Sequence, residues 1–99
     1  MGENVASTIE GTVASVNSAG DLVTDIDLAR LADVPRDQSV SVSFGPHETV
    51  GIHEKDHGEP DSTLIAVLGD SGFLEIGIVG LNISEMLGVG VGAQITIKW

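Results

Sequence analysis

Carboxylates are the main chemical resource of this chain, fifteen of them against four basic side chains. Asp21, Asp25 and Asp27 stand at alternate positions, which places three carboxylates on one side of an extended strand. Such a face could hold a hard cation through oxygen ligands. The glycine hinge and backbone-ligand loop of a calcium motif are missing, so a solvated strand face is expected, with Asp27 capping the segment after it. His47, His53 and His57, with Glu48, Glu54, Asp56 and Glu59, supply the imidazoles and carboxylates of a zinc or nickel site. No His-x-His or His-Glu-x-x-His spacing joins them, and they read as surface histidines of an acidic loop. Ser18 and Ser71 lack His and acid partners at matching strand ends, so no nucleophilic triad is expected. Gly69, Gly72, Gly77 and Gly80 lead into no helix start bearing a lysine, and they read as turn and close-packing glycines rather than a phosphate cradle. Asn82-Ile83-Ser84 matches a glycosylation sequon, but without a secretory signal the helix-cap role accounts for Asn82. No catalytic residue, metal ligand or obligatory cofactor is assigned.

The elements that must position these groups are mostly strands. Leu64–Leu68 and Phe73–Val79 are apolar runs joined by Gly69-Asp70-Ser71-Gly72, the pattern of a β-hairpin. Neither arm alternates cleanly, and Glu75 is the lone charge, so both arms are expected to be buried on both faces at the centre of a barrel or sandwich. Thr8–Asn17 and Asp21–Ile26 read as strands around a turn at Asn17–Gly20, followed by a helical turn at Leu28–Leu31. Ser39–Phe44 alternates most regularly, with Val40, Val42 and Phe44 directed to the core. His47–His53 continues as a strand, and Glu54–Asp61 is a polar loop. Leu81–Leu87 is the helix candidate, with Asn82 as cap and Glu85 at capping-box spacing. Ala93–Trp99 closes the chain as a strand, with Trp99 either anchoring an interface or covering the barrel end. This predicts an all-β fold, a single small barrel of about seven strands with one or two short helical turns. Residues 1–7 form a flexible lead-in, and residues 8–99 form the domain.

Composition bounds the function classes. Ninety-nine residues with 41% hydrophobic content make one domain with a real core, and a formal charge of −11 leaves no basic footprint for nucleic acid or an anionic membrane surface. No apolar segment approaches the ~20 residues of a membrane span. Without cysteine, there is no disulfide framework. A soluble, cytoplasmic domain is expected.

Two segments resemble a known family. Asn17-Ser18-Ala19-Gly20-Asp21-Leu22-Val23-Thr24-Asp25-Ile26 is similar to the motif aromatic-Gly-Asn-x-x-Thr-Asn-Ile. Asp70-Ser71-Gly72-Phe73-Leu74-Glu75-Ile76-Gly77 is similar to Ser-Ser-Gly-x-Leu-Glu-Ile-Ala, and Gly92, Ile95 and Ile97 match the closing strand. Together they resemble the C-terminal β-barrel domain of the S-adenosylmethionine hydroxide adenosyltransferases, relatives of the fluorinating and chlorinating adenosyltransferases. The resemblance covers nearly the whole chain but does not extend to the family's N-terminal α/β domain, which carries the ribose-holding Asp and most of the hydroxide or halide pocket. In that family the barrel of one subunit covers the adenine and methionine ends of a ligand held by its neighbour in a trimer. The family reaction would be hydrolysis of S-adenosylmethionine to adenosine and methionine.

Carried over residue by residue, the resemblance implies ligand contacts at Gly20, Asp21, Val23, Thr24, Asp70, Ser71 and Gly80. Asp21 stands where the family has an adenine-binding Asn, and a carboxylate accepts a hydrogen bond but cannot donate one. Ala19 replaces an aromatic wall, Glu54 and Lys55 fall near a Thr-aromatic pair, and Val79 replaces an Asn. Asp70 suits a ligand ammonium but repels a carboxylate. The barrel is retained and the pocket is largely altered. The expectation is a stand-alone, non-catalytic binding or interaction module. The alternative is a half-site that completes a pocket for S-adenosylmethionine or adenosine together with a separate α/β partner domain. The partners expected are such a domain or a homo-oligomer.

Overall fold

The computed structural model describes residues 7–99. The strands are β1 (Thr8–Val16), β2 (Leu22–Asp27), β3 (Ser41–Phe44), β4 (His47–Val50), β5 (Leu64–Leu68), β6 (Phe73–Ile78) and β7 (Gln94–Lys98), with a 3-10 turn at Leu28–Leu31 and a helix α1 (Ile83–Leu87). Seven antiparallel strands in the order β4-β3-β7-β1-β2-β6-β5 roll into a nearly closed barrel, as the alternation predicts. The lead-in falls outside the described residues except for Ser7, whose amide and carbonyl pair with Trp99. Among the described residues, no helix is long and apolar enough to cross a membrane.

Strand β1 makes the corner. Its first half, Thr8 to Thr12, pairs with β7, and its second half pairs with β2 after a register shift between Val13 and Ser15. A bulge of this kind bends a strand enough for it to serve both halves of a barrel. It also turns Ser15 outward, whereas the simple alternation of Ile9, Gly11, Val13 and Ser15 places all four on one side. Val40, Val42 and Phe44 enter the core as expected, joined by Leu22, Ile26, Leu74, Ile76, Ile95 and Ile97. Trp99 packs against the edge of that cluster.

The hairpin departs from its expected place. It lies at the end of the strand order, and among the described residues β5 pairs by a regular ladder with β6 alone. Its inner face, with Ala66, Leu74 and Ile76, is core, but on the outer face Phe73 is exposed and Glu75 half-buried. Strand β4 is also shorter than expected. Gly51 takes a φ of 87°, which ends the strand, and the chain returns as a single parallel bridge between His53 and Val67. Three bonds close the seam: His53 N–H to the Ala66 carbonyl (2.8 Å), Leu68 N–H to the His53 carbonyl (3.0 Å), and Thr49 Oγ1 to the Leu64 carbonyl (2.8 Å).

Both cap assignments match the structure. Asp27 accepts from the Arg30 amide, and Asn82 accepts from the Glu85 amide while its own amide reaches the Glu85 carboxylate. Helix α1 starts at Ile83 rather than Leu81, because Leu81 is held in a bridge with Ile78. Between β2 and β6 the register slips after Val23, and the Thr24 hydroxyl fills the gap, donating to the Leu74 carbonyl at 2.8 Å and accepting from the Ile26 amide at 3.2 Å. Replacing Thr24 with Val keeps the shape and removes both bonds. Urea denaturation of Thr24→Val should show a loss of about 1–3 kcal/mol, the cost of unpaired buried backbone groups. An unchanged midpoint would mean that the hydroxyl is dispensable.

Candidate functional site: a cleft on the outer face of β2, β6 and β5

Register determines which side chains leave the barrel. Val67 opposes Glu75, Ile65 opposes Gly77, and Val23 opposes Glu75, so Ile65, Val67, Glu75 and Asp21 share the outer face. Ile65 is only 4% exposed yet lies outside the main core cluster. It lines an open cleft of about 690 Å³, together with Val67, Val79 and Leu81. Asp21, Asp70 and Glu75 put carboxylates on the same cleft, and Asn17, Asn82, Lys55 and His57 complete its polar lining.

Glycines let the acids lie close. A Cβ at Gly77 would strike the Asp21 carboxylate, and one at Gly69 would strike that of Glu75. Glu75 also accepts from the Ser71 hydroxyl at 2.7 Å. Asn17 Oδ1 ties down the turn before Asp21, accepting from the Ala19 and Asp21 amides. The Ser84 amide reaches the Gly20 carbonyl, joining this turn to α1. On the opposite side, Ser62 N–H donates to the Val79 carbonyl and Val79 N–H to the Thr63 carbonyl, fixing the end of the polar loop. Lys55 reaches from that loop to Asp70, with Nζ to Oδ2 at 2.5 Å.

The residues singled out by the resemblance divide. Asp21, Asp70 and Gly80 line the cleft, although the first comes from a strand start far in sequence from the other two. Gly20 and Val23 flank it on β2 and its preceding turn, Ser71 bonds Glu75, and Thr24 faces the core. The alternate acids also separate. Asp25 takes the Thr12 amide and hydroxyl, Asp27 caps the 3-10 turn, and only Asp21 meets the cleft. His47 stacks near Phe44, whereas His53 and His57 lie 6.2 Å apart. Among the described residues, no group of three or more His, Cys, Asp and Glu could hold a metal ion.

The sequence marks neither Glu75 nor Asn82 as a site residue, and Lys55 only as falling near a Thr-aromatic pair of the family. The one signal for Glu75 is that it is the lone charge in an apolar arm. Lys55 and Asn82 reach the cleft only through loops.

These features define a small β-barrel domain with an acid-rimmed cleft on its outer wall. The chain belongs to the SAM hydroxide adenosyltransferase C-terminal domain family, whose model matches residues 11–96. Among solved structures, the barrel superposes with a TM-score of 0.75 on an uncharacterised conserved protein from Thermotoga maritima, at 28% identity over 91% of this chain and 35% of that one. A conserved hypothetical protein from Thermus thermophilus has the same fold, with a TM-score of 0.70 and 22% identity over 89% of this chain and 34% of that one. The chain thus spans about a third of the length of either structure. No match is found among curated proteins.

Burial pushes the Asp21 carboxyl above its ordinary value of 3.8, a hydrogen bond from Asn17 opposes this, and the charge of Glu75 adds to it. Asp25 moves the other way, chiefly because the Thr12 amide donates to it. A raised carboxyl favours the folded protein below its unfolded pKa and loses that benefit as pH rises through the folded value. Asp21→Asn should therefore stabilise the domain at neutral pH, by a few tenths of a kcal/mol because water screens a half-exposed group. That gain should vanish in denaturation curves taken below about pH 3.8. A gain independent of pH would contradict this account.

Proposed function

We propose that the domain is a non-catalytic binding module and that the cleft over Ile65 and Val67 is its working surface. The observation that carries this reading is the outward, partly buried Val67 on β5, which lines the same open cleft as Val79, Leu81 and the carboxylates of Asp21, Asp70 and Glu75. Asp21 and Glu75 repel each other across that apolar surface, an arrangement that favours an occupant with positive charge. The non-catalytic part rests on the resemblance, which puts the ribose-holding Asp and most of the hydroxide pocket in an α/β domain. Ser71 does have an acid partner, contrary to expectation, but the bond it donates to Glu75 lies within its own turn and fixes that turn.

A second reading rests on a separate observation. Asp21, Asp70 and Gly80, carried from distant motifs by resemblance to the adenosyltransferases, line one cleft. This supports a half-site in which the barrel covers one end of an adenosyl ligand, S-adenosylmethionine or adenosine, while an α/β partner domain or a further copy of the chain supplies the rest. The two matched structures are about two and a half times as long as this chain, which leaves room in them for such a partner domain.

Amide chemical shifts would separate the readings. Titrating adenosine and S-adenosylmethionine should move Gly20–Val23 and Asp70–Gly80 if the half-site reading holds, more strongly with a candidate α/β domain present. Shifts at the same residues on adding that domain alone support a protein-binding module. If nothing moves there under either addition, the cleft is not the working surface.

A further inference from the structure

Among the contacts that hold the polar loop at 54–61, one runs through an imidazole. The loop's two ion pairs, Glu54 to Arg36 and Lys55 to Asp70, join exposed side chains and hold it weakly. Glu54, Lys55, Asp56 and Gly58 face solvent, whereas His57 and Glu59 are half-buried. Those two residues are bonded to each other, the Glu59 amide donating to His57 Nδ1 at 2.9 Å. A ring nitrogen that accepts carries no proton, so the bond fixes His57 as the neutral imidazole with its proton on Nε2. The same ring stands edge-on to that of His53, with centroids 6.2 Å apart. It therefore meets the residue whose backbone closes the barrel seam. The loop ends at Ser62, whose φ of 71° is a left-handed conformation that a serine adopts at a cost. The bond from the Ser62 amide to the Val79 carbonyl, at 2.8 Å, holds it there.

We propose that His57 is a pH-operated latch: neutral, it folds the loop against the barrel seam, and protonated on Nδ1 it lets the loop go. Protonation turns the acceptor into a donor, which then faces the Glu59 N–H and leaves that amide without a partner. Turning the ring over does not restore the bond, because it brings a carbon, Cδ2, to the place of Nδ1. Once His53 is charged as well, two cations stand side by side and repel. The other charges nearby do not decide the outcome. Glu54, Asp56, Glu59 and Asp61 belong to the loop and accompany the imidazolium whether it is latched or free. On the cleft, Asp70 is already paired with Lys55, and Glu75 and Asp21 draw a charged His57 toward the latched form. Water and salt screen that attraction across an open cleft, whereas the hydrogen bond is lost outright. Losing one such bond shifts an equilibrium about two- to tenfold. The loop is thus ordered above the ordinary histidine range and loosened as pH falls through it, with the strain at Ser62 relieved on release. The latch sets the wall of the cleft on which Lys55 and His57 lie, independently of what the cleft receives.

Nuclear magnetic resonance on the whole chain tests the latch. At about pH 7.5, Nδ1 of His57 should show the chemical shift of an unprotonated nitrogen and Nε2 that of a protonated one. The reverse tautomer would overturn the assignment. Amide exchange at 54–61, corrected for the intrinsic effect of pH, should quicken about two- to tenfold between about pH 7.5 and about pH 5.5, with the barrel strands unchanged. His57→Asn keeps an acceptor for the amide two residues on but does not titrate, so its protection should no longer depend on pH. His57→Phe has no acceptor and should exchange at the faster rate at both pH values. Protection that is independent of pH in the native chain, or that falls equally in His57→Asn, would overturn the latch.

Discussion

The barrel depends on a closure that is not a strand. Two backbone hydrogen bonds from His53 to β5, with the Thr49 hydroxyl on the Leu64 carbonyl, join β4 to β5, where the regular ladders run out. An open edge there would leave carbonyl and amide groups of β5 unpaired, at a cost comparable to losing those bonds. One irregular residue pair satisfies them, and its irregularity has consequences. The chain cannot continue along the sheet after His53, so it lifts into the polar loop that carries Lys55 and His57 to the cleft. The seam and the candidate site are therefore two results of one backbone decision at Gly51, whose positive φ ends β4.

The cleft in turn depends on the sheet being apolar on both sides for a short distance. Val67 and Ile65 face outward from a strand whose inner residues already fill the core. Such a surface is unfavourable in water unless something covers it, and burial of each side chain is worth roughly 1.5–3 kcal/mol. Ile65 is covered within the chain itself, whereas Val67 is only partly so. Carboxylates at Asp21, Asp70 and Glu75 stand around it and keep it from being a plain hydrophobic patch. In the proposed reading, this apolar surface with a mainly acidic border serves recognition rather than core packing.

Much of this was legible in the sequence where the cause is local. The alternation of β3 predicts the inward Val40, Val42 and Phe44, and single-residue capping chemistry predicts the roles of Asp27 and Asn82. The family motifs predict the fold, and three of the residues they implicate line one cleft. What was not legible is non-local. Nothing within His47–His53 shows that the ladder stops at Gly51, because the alternative partner, β5, lies a loop away. The apolar arms of the hairpin suggest a central, doubly covered position; the structure puts them at the end of the sheet, with the second face serving a cleft. Thr24 illustrates the same limit. Its match to a family motif could not reveal that its hydroxyl repairs a slipped ladder.

The central claim is that the outer face of β2, β6 and β5 is where this domain meets its ligand and partner. A crystal structure of the chain with a candidate α/β partner domain and adenosine tests it most directly. The account predicts ligand or partner atoms over Ile65 and Val67, with polar contacts at Asp21, at Asp70 and at the main chain of Gly80. Partner and ligand seated instead in the groove beside Arg36, Ser39 and Val50, with Val67 and Val79 open to solvent, would contradict it.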